Sequence, residues 1–303
     1  MSENYQYRGK TNVISLPNCW VCNGTEWKVF KESTLNGNIS PEDFRITDSH
    51  YGHTARIDEC TACGFKQCTD LSTVLNFYEN LEDPEYNKGR EQRGLQSRKI
   101  LESLVRYKTS GQLLDIGAAS GILIEQAEKL GFHCIGIEPS RSLAQAAIAN
   151  GFNVRLGTFP HESVRGPFDI ITLVDVLEHV PHPGELLKNI ANHLSPTGFG
   201  VLTTPNVESW MARFLKSKWW HFRVAHIGYF SPATLTRLME SADLEIIETS
   251  SPPWYFTMEY AAERAQKYFP SVFHFKLPHF LRERTIRVNF FDSMQVIFRR
   301  KSS

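Results

Sequence analysis

Beyond Ser110, apolar runs of strand length alternate with segments of helical period, and this alternation allows few folds. "QLLDIG" reads as a strand and "ILIEQAEKLG" as a helix that Gly131 ends. "HCIGIE" is again a strand, and "SRSLAQAAIANG" a helix ended by Gly151. "FNVRL" and "FDIITLV" follow as strands, then "GELLKNIANHL" as a helix and "GFGVLTTP" as a strand. A helix precedes them in "REQRGLQSRKILESLVRY", with Leu95, Ile100, Leu101, Leu104 and Val105 near one face. Strand–helix alternation predicts an α/β unit whose parallel sheet is covered by helices on both faces. Ligands of such sheets bind beyond the carboxyl ends of the strands, where the strand order reverses.

"QLLDIGAASG" leaves the first strand and enters the first helix at that edge. Gly117 and Gly121 let a ligand approach the backbone where helix amides begin. The spacing is not the Gly-x-Gly-x-x-Gly of dinucleotide sites. Glu138, closing the second strand, is placed to accept both hydroxyls of a ribose; the plainer alternative is a helix N-terminal charge beside Ser140.

The front of the chain has another signature. Four of the six cysteines form two Cys-x-x-Cys pairs, Cys19/Cys22 and Cys60/Cys63, with Gly24 and Gly64 close behind. Two such pairs make the four-sulfur set of a closed structural zinc site, and the turns that aim amides at the sulfurs often need a positive φ. Four reduced, buried cysteines are the alternative, and Cys68, His50 or His53 could replace one ligand. The intervening segment has few apolar residues, so the metal would supply much of its folding energy. With all four positions filled, the ion is structural rather than catalytic.

Composition narrows the class. The chain has 303 residues, 41% hydrophobic and 22% charged, with formal net charge +0. No global field favours nucleic acid or an anionic membrane, and no basic stripe with interleaved aromatics stands out. "MSENYQYRGK" lacks the apolar stretch of a signal peptide, and no apolar run approaches the roughly 18 residues of a membrane span, which predicts a cytoplasmic protein.

"LLDIGAASG", "GIEPS", "FDIITLVDVLEHVPHP" and "GVLTTPN", in this order, resemble the class I S-adenosylmethionine-dependent methyltransferases over about residues 88–250. The subgroup is similar to the ubiquinone O-methyltransferases and to polysaccharide and natural-product methyltransferases. The two-knuckle front resembles that of the sugar C-methyltransferases. The resemblance implies a Rossmann-like seven-stranded sheet with helices on both faces, preceded by a small zinc-ribbon-like module. The expected organisation is a zinc-binding module over 1–87 and a methyltransferase domain over 88–303, with an aromatic-rich insertion at 251–289. That insertion is read as a lid or as the surface of a homodimer.

By motif position, the resemblance implies a cofactor site of Asp115, Gly117, Ala119, Gly121 and Glu138. Gly157, Thr158 and Phe159 of "LGTFP" would add backbone and apolar contacts, and Asp175 and Val176 would lie near the methyl donor. Methyl transfer to a hydroxyl needs a group to take its proton, and a neutral histidine suits that task. His226, before "GYFS", and His179, in "EHV", are the candidates; His221 and Tyr229 would line the acceptor pocket. Each could instead be packing in a crossover. An ordinary histidine base predicts a rate that falls as pH drops through the histidine range. The expected activity is O-methylation of a small sugar or biosynthetic intermediate. The alternatives are C- or N-methylation, or a non-catalytic zinc-containing partner protein that only binds the cofactor.

Overall fold

The central sheet has seven strands: β1 (Gly111–Ile116), β2 (Phe132–Glu138), β3 (Val154–Leu156), β4 (Phe168–Val174), β5 (Leu194–Pro205), β6 (Leu244–Ser250) and β7 (Ser293–Arg300). Their order is β6-β7-β5-β4-β1-β2-β3. The computed structural model describes residues 17–35, 39–47, 51–69, 75–83, 86–268 and 277–301. β1 to β5 are mutually parallel, but β7 is antiparallel to both neighbours, so the sheet is mixed rather than parallel. No helical crossover over a face has to link β6 to β7, so β7 can return in the opposite direction.

Alternation along each strand divides the apolar residues between two cores. Leu113, Ile170, Val201 and Ile297 face one side, with α1 (Arg90–Val105), α2 (Ile122–Lys129) and α3 (Arg141–Ala149). Leu114, Ile171, Leu202, Val296 and Phe298 face the other, with α4 (Pro183–His193) and α5 (Pro232–Ser241). Leu113 and Leu114 are each 0% exposed, and the period-two alternation of a strand sends neighbours to opposite cores. Truncating either to Ala would cost about 2–5 kcal/mol.

The front is joined to this body. Trp27–Lys31, Ile57–Cys60 and Lys66–Gln67 form a small sheet whose fourth strand is Gly228–Tyr229. Lys66 pairs with Tyr229 and Gln67 with Gly228, antiparallel. The described buried apolar residues from Cys19 to Leu81 all sit in clusters shared with residues beyond 200. A boundary at residue 87 therefore does not separate two cores. Within the insertion, Trp254–Thr257 pairs antiparallel with Thr285–Val288, and a helix spans Met258–Tyr268. Gln92 of α1 donates to Thr285 Oγ1 at 2.9 Å, and the Tyr268 ring meets Tyr51 and Trp220. The insertion thus leans on α1 and on the segment that leads to His226. No helix among the described residues is long and apolar enough to cross a membrane.

Candidate active site

The turn after β1 is shaped by left-handed backbone. Gly117 has φ +78° and Gly121 φ +79°, a region that Cβ-bearing residues rarely enter, and Ala119 at the apex has φ +45°. The Cβ that Gly117 lacks would stand 2.6 Å from Val176 Cγ2, and that of Gly121 2.4 Å from Phe152. Both glycines therefore let the turn settle onto its neighbours. The Cβ direction of Gly117 points at Val176, so the turn and the end of β4 pack directly on each other.

Glu138 ends β2 beside this turn, 6% exposed. Its Oε2 accepts from the Ala119 amide at 2.8 Å and its Oε1 from the Ser140 amide at 2.8 Å. Each oxygen keeps a lone pair for a ribose hydroxyl. Burial pushes its carboxyl up to about 7, against the pull of the two amides. Asp115 lies below, its Oδ1 accepting from Thr172 Oγ1 at 2.6 Å, and burial raises it also to about 7. Tyr86 packs on Ala119, and the Arg93 guanidinium lies 4.2 Å from the centre of its ring. Arg93 Nε and both amide atoms of Gln96 are buried without partners. These α1 groups carry no glycine signature and sit about 20 residues before the turn, so motif reading passes over them.

The third motif departs from expectation. The Gly157 amide donates to the Glu138 carbonyl at 2.9 Å and holds that loop at the edge. Thr158 is exposed, however, and Phe159 packs in the core, its ring 4.9 Å from His193. A phenylalanine next to a sheet is as well served by the core as by a ligand, and in this structure its ring packs in the core. Asp175, at φ +54°, accepts from Thr203 Oγ1 at 2.8 Å, and burial raises its carboxyl.

Beyond β4 and β5 lies a second group. The His179 and His226 rings meet edge-on at 4.7 Å, and His221 stacks on His226 at 5.7 Å. His221 Nε2 is 3.4 Å from Asp292 Oδ2, and the Tyr229 ring lies 6.5 Å from His226. The four residues expected along this wall are thus brought together. One residue was not expected: Tyr78, from the front, places its hydroxyl 2.5 Å from His179 Nδ1 and donates to the Ala225 carbonyl at 3.2 Å. His179 Nδ1 is also 2.8 Å from that carbonyl, so Nδ1 carries the proton and Nε2 keeps its lone pair. His226 Nδ1 and the Tyr229 hydroxyl are buried without partners. Burial pushes His179 down to about 3 and His226 well down, so both rings are neutral at physiological pH. Beside them Glu178 is 1% exposed, with Oε2 accepting from Thr204 Oγ1 and Oε1 unpartnered. Burial, then the Asp175 charge, raises Glu178 well above the carboxylate range.

Among the described residues, two clusters bring metal-ligating atoms within 4.8 Å of one another: Glu178, His179 and His226, and the four cysteines. The sulfurs of Cys19 and Cys63 are 3.6 Å apart, and those of Cys22 and Cys60 3.5 Å. Tetrahedral zinc with bonds of about 2.3 Å sets sulfurs about 3.8 Å apart, so the donor set fits such an ion. At the first knuckle it is Asn23, at φ +59°, that turns the backbone, where Gly24 was the candidate. Gly24 is needed for room: its Cβ would stand 3.2 Å from both Cys22 Sγ and Cys60 Sγ. Cys68 lies outside the cluster, its thiol 3.7 Å from the His226 carbonyl. His50 lies outside the described residues.

Known proteins carry the same architecture. The curated ubiquinone biosynthesis O-methyltransferase of Caulobacter sp. (strain K31) is 30% identical over 122 residues, 35% of this chain and 48% of that protein. Its counterpart in Bradyrhizobium diazoefficiens is 32% identical over 123 residues, 39% of this chain and 45% of that protein. The chain spans about half the length of the curated relatives it matches. Among solved structures, the complex between the Haloferax volcanii Trm112 methyltransferase activator and a methyltransferase shares the fold. Its TM-score is 0.54 at 17% identity, over 77% of this chain and 99% of that one. The methyltransferase-domain family matches residues 89–249, from α1 into β6, and so takes in the glycine turn, Glu138 and the site histidines His179, His221 and His226. With more than half of its length inside that match, the chain belongs to the methyltransferase-domain family.

Proposed function

We infer that this chain methylates a hydroxyl of a small sugar or biosynthetic intermediate, using S-adenosylmethionine, and holds a structural zinc at its four cysteines. The carrying observation is His226 Nδ1, buried and unpartnered on a neutral ring beside His179. When bound, S-adenosylmethionine supplies a sulfonium methyl group that needs no further activation. Glu138 would accept from the ribose hydroxyls, and the turn at 117–121 would hold the methionyl part. With the cofactor bound, a C–O bond would form as its S–C bond broke, and His226 Nδ1 would take the hydroxyl proton. His179, held by Ala225 and Tyr78, fixes the wall on which His226 stands. The curated relatives' name, O-methyltransferase, supports oxygen as the accepting atom.

His226→Ala should lower turnover by about 10²–10⁴-fold with S-adenosylmethionine affinity near the parent value. Because burial depresses its pKa, the ring stays neutral through the usual histidine range. At saturating cofactor the rate should therefore not fall between about pH 8 and 5.5 on its account. This replaces the acid-side fall expected from an ordinary histidine. Full turnover in the variant, measured with radiolabelled methyl donor on an acceptor found by screening, would end the assignment.

A further inference from the structure

Beside the acceptor wall stand two arginines that form no ion pair among the described residues, although the Arg223 charge pulls against the rise of the Glu178 carboxyl. Arg223 donates from Nη1 to the Ile46 carbonyl at 3.3 Å and from Nη2 to that of Arg45. Arg264, on the insertion's helix, donates from Nη2 to the Thr47 carbonyl at 2.9 Å. The two side chains thus converge on three successive carbonyls. Since neighbouring Cα atoms are only about 3.8 Å apart, the guanidinium groups lie within roughly 10 Å of each other. Arg223 Nε and Arg264 Nη1 are both buried without partners. Two described carboxylates lie against this segment: Asp83 accepts from the Thr47 amide at 2.9 Å and from Thr47 Oγ1 at 2.6 Å, and Glu42 Oε1 is 3.5 Å from Arg45 Nη2. Neither arginine forms an ion pair among the described residues.

Both cations are held in place. Arg264 lies against the Tyr51 and Tyr260 rings, 5.4 and 4.6 Å from their centres. Arg223 is in the turn whose carbonyl accepts the His226 amide at 3.1 Å. After burial, its charge is among those that depress His179 and His226. Guanidinium is charged at every accessible pH, and two of them with buried free N–H groups form a fork suited to an oxyanion.

We propose that Arg223 and Arg264 bind an oxyanion of the acceptor, a phosphate ester or a carboxylate, while its hydroxyl reaches His226. This rests on the acceptor pocket assigned above and adds the charge class of what enters it. One end of the molecule is anchored on the insertion and the front, and the other is presented to the base. The insertion then acts as part of the acceptor's binding surface.

The test is calorimetry on the full chain with inorganic phosphate, pyrophosphate and benzoate as probes. At least one should bind saturably. Arg223→Gln and Arg264→Gln should each weaken it by about 10- to 100-fold, the range of a lost charge-assisted hydrogen bond, with S-adenosylmethionine affinity unchanged. Preference for the phosphates assigns a phosphate ester, and preference for benzoate a carboxylic acid. If Arg223→Gln fails to fold, Arg223→Lys, which keeps the charge and removes Nε, takes its place beside Arg264→Gln. No saturable binding of any probe, or undiminished binding in the folded variants, overturns the proposal. Failure of the parent chain to bind S-adenosylmethionine, with anion binding intact, would instead sink the methyl-transfer reading alone.

Discussion

The cofactor edge and the acceptor wall adjoin in space and are opposites in sequence. The edge comes mainly from one stretch, Asp115 to Val176, in which each strand delivers its end to the same side, with Tyr86 and Arg93 added from just before it. The wall is gathered from Tyr78, the segment 178–179, the segment 221–229, Arg264 and Asp292, which belong to the front, two crossovers, the insertion and the turn before β7. A site built within one strand–helix series can be rebuilt by each member of a fold. A wall assembled across distant segments can change its acceptor without disturbing the cofactor. The front is drawn into the wall because its strand Lys66–Gln67 pairs with Gly228–Tyr229, which begins two residues after His226.

The most forceful way to break this contrast is through the metal. Cys60→Ser with Cys63→Ser removes half the donor set, and structural zinc is worth about 10–16 kcal/mol in small zinc modules. Zinc content by elemental analysis should fall from one ion per chain to none. Because Cys60 shares a core with Leu235 and Leu238, amide exchange should rise across residues 225–230 as well as in the front. The edge should stay folded and bind S-adenosylmethionine within a few-fold of the parent. Loss of exchange protection confined to residues before 87 would show instead a self-contained module.

A smaller effect sharpens the other side. Glu138→Ala should cost about 1.5–3 kcal/mol of S-adenosylmethionine binding, the value of a hydrogen bond to a charged group. The pH dependence has a definite sign. The carboxyl is raised to about 7 and the ribose hydroxyls favour its ionised form, so cofactor affinity should rise as pH increases through about 7 and level off above. The Ala variant should lose that slope. Calorimetry from about pH 5.5 to 8.5 decides, and an equal slope in both proteins would move ribose recognition elsewhere.

The same contrast explains what could be read in the sequence. The alternating elements, the glycine turn, Glu138 and the paired cysteines are local patterns, and backbone geometry enforces them within a few residues. The direction of β7 was not legible, because the insertion hides how the chain returns. Phe159 is ambiguous in the sequence, because an aromatic residue beside a motif serves a core or a cleft equally well. His179, His221, His226 and Tyr229 could be named because they cluster near motifs. Tyr78, Arg223 and Arg264 could not, since their meaning comes from partners 101 residues away for Tyr78, and 178 and 217 for the arginines.

Tyr78→Phe is the mildest test and bears on that non-local half. The hydroxyl lies 2.5 Å from His179 Nδ1 and donates to the Ala225 carbonyl, which also accepts from that ring. Burial drives the phenol far above its usual range, so it is a fixed donor and not a proton relay. Phenylalanine keeps the ring against Phe44 and His179 and removes the hydroxyl's two hydrogen bonds, together worth about 1–3 kcal/mol. Stability should drop by that amount, and S-adenosylmethionine affinity should not change. If the front orients His179, the variant should also lose up to about tenfold in kcat, with acceptor KM little changed, because a loosened ring affects the reacting geometry more than binding. A variant with the expected stability loss and undiminished kcat would reduce Tyr78 to packing, and the front would then support the wall without tuning it.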